Sequence, residues 1–224
     1  MNLPLTSKLS RNATLRESIA DSVREAIIQG ALKPGTKLSE PELAKQFGIS
    51  RTPIREAFRQ LDSEGFLKII PRRGARVVPL TEKDVVEFYE VKAVLEGHAA
   101  RLAMPRLTVS DLNKMEHLNN EMERFHREGD FKGVFKLHND FHEVFLRACG
   151  NEYLYQLLQM LISKFQRFRM LLSLTGRSEG SIAQHREIIG AFREKNIERA
   201  ARLVTDNALL GREIIIGEIL KQLQ

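Results

Sequence analysis

At 224 residues, with 42% hydrophobic and 29% charged residues, the chain has the make-up of a globular protein of one large or two modest domains. No apolar run approaches the roughly 18 residues of a membrane span, Met1 to Leu15 lacks the apolar core of a signal peptide, and a single cysteine, Cys149, excludes an internal disulfide and a zinc finger, so a cytoplasmic setting is expected. The net charge of +6 lies wholly in residues 1–80, with 14 Lys+Arg against 8 Asp+Glu, while residues 81–224 hold 21 of each; a basic first third suits a phosphate backbone.

Thr14 to Gly30 carries apolar residues at helical period, with Leu15, Ile19, Val23, Ala26 and Ile27 on one face and Gly30 as the stop. Leu32-Lys33-Pro34-Gly35 is a turn signal. Ser39-Glu40-Pro41-Glu42-Leu43-Ala44 and Ser50-Arg51-Thr52-Pro53-Ile54-Arg55-Glu56-Ala57 then predict two short helices joined by a tight turn at Gly48. The second carries Arg51, Arg55 and Arg59 four apart, which puts their guanidiniums on one face. Arg is the side chain that reads guanine O6 and N7 bidentately in the major groove, so this helix points to double-stranded DNA. Gly65 ends it, and two β-prone runs follow, Leu67–Ile70 and Ala75–Val78. Between them Pro71-Arg72-Arg73-Gly74 predicts a hairpin with a basic tip. Three helices and such a hairpin make a winged helix-turn-helix over residues 1–79. Arg72 and Arg73 would lie along the backbone or minor groove, with Gly74 allowing close approach.

Pro79 to Thr81 marks a boundary, and Thr81 with Asp84 forms an acidic version of the capping box. From there the pattern is helical, predicting helices over 82–103, 108–128, 131–149, 151–174, 179–194 and 197–222, punctuated by Pro105, Gly129, Gly150 and Gly176. Long amphipathic helices on short loops predict an antiparallel bundle over residues 80–224, so the fold class is mainly α.

All six histidines follow residue 97. His138 and His142 stand four apart on one helix, a good two-ligand spacing for a transition metal, and His185 lies on a later helix. Converging in a bundle, the three would hold Zn, Ni, Mn or Fe and leave positions open; the alternative is that they are ordinary surface or core residues. Asp140 sits about 200° round the helix from the shared face, and points to solvent or behind the ligands. His98, His117 and His126 read as structural or exposed. An open metal site would also serve a metalloenzyme, against which no carboxylate base stands at a recognisable spacing beside the histidines, or a metal sensor.

The chain resembles the GntR family of bacterial transcription regulators, in its FadR-type branch with an FCD ligand-binding domain. The resemblance rests on Leu38-Ser39-Glu40-Pro41-Glu42-Leu43-Ala44, on Ser50 through Ala57, on Leu61 with Glu64-Gly65-Phe66-Leu67, on Phe141-His142, on Cys149-Gly150-Asn151 and on His185-Arg186-Glu187-Ile188. It implies a homodimer on a short palindromic operator, with Ser50, Arg51, Thr52 and Arg55 as recognition-helix contacts and Arg73 and Gly74 at the wing tip. Pro41 replaces an Arg frequent in the family, so one basic contact is missing. The family's divalent metal is held by an Asp and three His; here those places hold His138, His142, His185 and Asn207. His138 keeps a donor, whereas Asn207 replaces an imidazole by an amide oxygen. Loss of an anionic ligand makes the site more positive and favours a carboxylate on its open positions. The resemblance implies a small carboxylate or sugar acid as effector, with Lys92, in place of the usual Arg, and Arg169 as its cations. It also implies repression, relieved when effector binding shifts the long helix starting near Thr81.

Overall fold

The computed structural model describes residues 14–28, 30–79, 81–165, 172 and 176–223. Its contacts divide the chain into two units, one built on residues 1–80 and the other on the chain from Thr81.

In the first unit, α1 (Leu15–Ile28) buries Ile19, Ala20, Val23 and Ala26 at helical period, while Leu15, expected on that face, is exposed. α2 (Glu40–Phe47) starts at Ser39, whose hydroxyl accepts from Glu42 N at 3.4 Å, and carries Pro41 in its first turn, where a missing N–H costs nothing. Gly48 closes it at φ 66, a left-handed turn that a Cβ would disfavour. α3 (Arg51–Ser63) packs Ile54, Ala57, Phe58 and Leu61 inward. Arg24 of α1 donates from Nε (3.0 Å) and Nη2 (2.7 Å) to Glu64 Oε2, just past the end of α3, and so ties the two helices.

β2 (Leu67–Ile70) and β3 (Gly74–Val77) form the expected antiparallel hairpin, in register from Leu67 opposite Val77 to Ile70 opposite Gly74. The second strand begins one residue earlier than expected. A two-residue strand that the sequence did not reveal, β1 (Lys37–Leu38), pairs with the other edge of β3, giving the order β1-β3-β2.

The second unit is a helical bundle. α4 (Glu82–Ala103) opens with the expected capping box, Thr81 and Asp84 each bonding the other's backbone N–H. α5 (Val109–Glu128) opens with a second such box on Thr108 and Asp111. α6 (Phe131–Ala148), α7 (Glu152–Lys164), α8 (Glu179–Arg193) and α9 (Ile197–Leu223) follow. α7 stops short of the predicted 174; Phe165 is in a turn, and residues 166–171 and 173–175 lie outside the described ones. α9 packs on α4 and α8, α5 on α6 and α8, and α4 on α6. Phe141, Phe145, Phe192, Met115 and Met122 fill the core between them. That packing brings α4, α5, α6, α8 and α9 around one buried polar spot.

Candidate functional site

The first candidate surface lies in the first unit. With Ile54, Ala57, Phe58 and Leu61 turned inward, the helical period leaves Arg51, Thr52, Arg55 and Arg59 exposed on α3. Ser50 is the N-cap of α3, yet its side chain makes no capping hydrogen bond. Arg55 donates from Nε (3.1 Å) and Nη2 (3.0 Å) to Glu40 Oε2. In the hairpin, Arg72 and Arg73 are exposed in the turn, Arg72 at φ 61, and Arg73 N donates to Ile70 O at 2.9 Å. Gly74 is not at the tip: it is the half-buried first residue of β3, at φ 86. A Cβ there would stand 2.2 Å from Leu38 O, so the passage of β1 accounts for the glycine without any approach of DNA.

The second candidate site is the centre of the bundle. α6 projects His138 and His142 from one face, α8 adds His185, and one ligand nitrogen from each lies within 4.8 Å of the others. Zn–N bonds of about 2.0–2.1 Å would bring such nitrogens to roughly 3.0–3.4 Å, a closure within reach of side-chain rotation. His142 and His185 are buried and His138 partly so, and Phe141 stacks on the His185 ring at 3.9 Å. Asn119 of α5 sets the tautomer of His185. Its Nδ2 donates to Ile182 O at 3.2 Å, so its Oδ1 is what faces His185 Nδ1 at 3.2 Å. An amide oxygen only accepts, hence Nδ1 carries the proton and Nε2 keeps its lone pair for a metal. Burial, with His142 alongside, pushes His185 well below the usual imidazole range and holds it neutral, as a ligand must be.

Asn207 of α9 is buried, and its Nδ2 donates to Gln184 Oε1 (2.9 Å) and Ser181 Oγ (3.1 Å). Those bonds leave its amide oxygen as the atom a metal would take. Ser181 Oγ in turn lies 3.4 Å from both His138 Nδ1 and His185 Nε2. Three imidazoles and an amide oxygen are a chemically sound set for a divalent transition metal.

A carboxylate does stand beside the histidines, although no sequence spacing ties it to them. Glu96 of α4, 1% exposed, places Oε2 3.6 Å from His142 Nδ1 and 2.5 Å from Lys92 Nζ. Burial pushes its carboxyl up, but Lys92 and His142 outweigh burial and hold it well below the usual carboxylate range. The signal was available: Lys92 and Glu96, four apart, share a face of α4 with Phe88, Tyr89 and Ala99.

Beside the histidines lies a cavity of about 80 Å³, room for several waters or a small organic molecule. Tyr89, Phe131 and Val134 line it, together with Lys92, His138 and Asn207. Lys92 lines the cavity while its Nζ is paired with Glu96. Arg169 lies outside the described residues. Arg177, in the loop before α8, also lines the cavity and was not foreseen. Of the other histidines, His98 and His117 are exposed, and His126 bonds Ser178 Oγ (2.7 Å) and Glu179 Oε1 (3.1 Å). Asp140 is half-buried and outside the cluster.

Comparison with known proteins places both units. Residues 15–77 match the bacterial regulatory proteins of the gntR family, and residues 87–207 match the FCD domain. An uncharacterized HTH-type transcriptional regulator, YdhC of Bacillus subtilis (strain 168), is 34% identical over 187 residues, covering 82% of this chain and 83% of that protein. A gluconate operon transcriptional repressor of Bacillus licheniformis is 33% identical over 179 residues, covering 79% and 72%. Among solved structures, E. coli McbR/YncC superposes with a TM-score of 0.71 at 22% identity, over 92% of this chain and 99% of that one, which is a likeness of fold. Among the described residues no helix is long and apolar enough to cross a membrane.

Proposed function

The chain belongs to the GntR family of bacterial regulatory proteins and carries an FCD domain, and we propose that it is a cytoplasmic repressor that binds a palindromic operator as a homodimer and releases it when a small carboxylate or sugar acid enters the bundle. It is a transcription regulator and not an enzyme, as its domains and relatives are. The observation that carries the reading is the cavity, where Lys92, His138, Asn207 and Arg177 meet a mostly apolar wall. A pocket with a few convergent polar groups suits a small anionic metabolite. A relative named for the gluconate operon supports the sugar-acid class.

In this reading Arg51 and Arg55 contact base edges, Ser50 and Thr52 fix α3 on the phosphates, and Arg72 and Arg73 follow the backbone or minor groove, with Gly74 behind them. His138, His142, His185 and the Asn207 oxygen would hold a divalent transition metal, Zn, Ni, Mn or Fe, which when bound supplies positions for a carboxylate oxygen. Lys92, and with it Arg177, supplies the opposing charge, and Arg169 is assigned the same role. Glu96 orients His142 from behind and fixes Lys92. Because Lys92 and Glu96 both sit on α4, and α4 is capped by Thr81 directly after the first unit, a ligand that pulls on Lys92 pulls on the helix that leads into the DNA-binding domain. Effectors of this kind couple sites by about 1–3 kcal/mol.

The test is binding to a duplex selected from a random library, followed by fluorescence anisotropy with and without gluconate and related sugar acids. A sequence-specific complex weakened about tenfold or more by one of them is the expected result. Failure to prefer any duplex over random DNA would remove the repressor reading.

A further inference from the structure

Arg51, Arg55 and Arg59 share the exposed face of α3, and Arg55 is held. Arg55 presents its Nε and Nη2 edge to Glu40, both nitrogens donating to Oε2, at 3.1 and 3.0 Å. Among the described residues Arg51 and Arg59 have no ion-pair partner. Glu40 is itself fixed. It is the first residue of α2, directly after the capping Ser39, where the helix dipole favours a carboxylate. Its side chain is 19% exposed against 56% for Arg55, so the carboxylate is the anchored partner and the guanidinium the projecting one.

The geometry of the fork decides what remains. A guanidinium has five N–H donors, and guanine recognition needs two parallel ones. With the Nε edge docked on Glu40, the outer edge formed by Nη1 and Nη2 still projects. The charge balance points the same way. The first turn of α2 carries Glu40 and Glu42 around Pro41, so it presents acid where DNA phosphates would come near. A carboxylate placed there weakens binding unless a cation answers it, and Arg55 answers Glu40.

We infer that Glu40 is a positioning residue for DNA recognition: it aims Arg55 at one base pair and makes that contact the specificity-determining one of α3. The inference rests on α3 being the reading helix. Arg51, unheld, reads its base edge with less discrimination, and Arg59 adds attraction to the duplex.

The experiment is in vitro selection from a random-sequence duplex library with the full-length wild-type protein and the Glu40→Ala, Glu40→Gln and Arg55→Ala variants. Anisotropy titrations on the selected duplex and on a scrambled one follow. Arg55→Ala identifies the base position that Arg55 reads. Glu40→Ala should flatten that same position, lowering discrimination there about tenfold, while the rest of the motif stays sharp. Glu40→Gln should lie between, because its amide oxygen still accepts from Arg55 without the charge. If both Glu40 variants keep the full motif and simply bind every duplex more tightly, Glu40 is only a repelling charge and the inference falls. If Arg55→Ala leaves the motif unchanged, α3 does not read DNA through Arg55, and the underlying reading falls with it. Equal thermal melting of the four proteins separates either result from misfolding.

Discussion

Lys92 Nζ lies 2.5 Å from Glu96 Oε2 inside the bundle, where neither side chain is more than 5% exposed. Two desolvated charges support each other, and removing either one strands the other. Lys92→Met is therefore expected to cost about 3–5 kcal/mol of stability in urea denaturation, whereas Lys92→Met with Glu96→Leu recovers most of it. Both forms should lose the response to a carboxylate effector. A double variant no more stable than the single one would show that the pair is not an energetic unit.

The proposed metal site makes a second prediction, because Asn207, assigned there as the fourth ligand, has its Nδ2 committed to Ser181 and Gln184. Protein purified without chelator or affinity tag should contain about one transition-metal ion per chain by elemental analysis, and His142→Ala and His185→Ala should empty it. Asn207→His adds an imidazole and should tighten binding about tenfold or more in competition with a chromogenic chelator. Unchanged affinity would place Asn207 outside the coordination shell.

How much of this was legible in the sequence depends on how local each cause is. The winged helix could be read because its punctuation is local: Ser39 caps, Gly48 turns and Pro71–Arg73 folds back within a few residues. β1 could not, since two residues have no period of their own and Lys37–Leu38 is a strand only because β3 comes alongside. In the bundle, the spacing of His138 and His142 shows on one helix, but Glu96 comes from another. Its place on the apolar face of α4 marks Glu96 as buried, but only the packing of α4 on α6 brings it to His142. Arg177 sits in a loop, with no pattern to mark it.

On the DNA side, Arg51→Ala and Arg55→Ala should each cost about 1–3 kcal/mol on the selected operator. Arg72→Ala and Arg73→Ala should act differently. They stand in an exposed turn, where a guanidinium meets phosphate or a groove wall, so their loss should weaken all duplexes alike. Each should reduce the slope of log affinity against log salt by about 0.9. A sequence-dependent loss with an unchanged slope would move base readout from α3 to the wing.

Gly74 separates two explanations of one turn. If the glycine exists to let the wing approach DNA, Gly74→Ala should fold as well as wild type and bind DNA more weakly. The structure gives a different cause. At φ 86 an alanine is strained, and its Cβ would stand 2.2 Å from the Leu38 carbonyl oxygen, with backbone on both sides of the clash. Neither β1 nor β3 can yield without breaking the ladder at Leu38 and Ala75. Gly74→Ala should therefore lower the stability of the first unit by more than about 2 kcal/mol, and DNA binding should fail because the domain opens. Metal uptake by the second unit, measured on the same sample, should be untouched, since His138, His142, His185 and Asn207 all belong to it. A stable Gly74→Ala protein with weak DNA binding would return the glycine to the DNA interface.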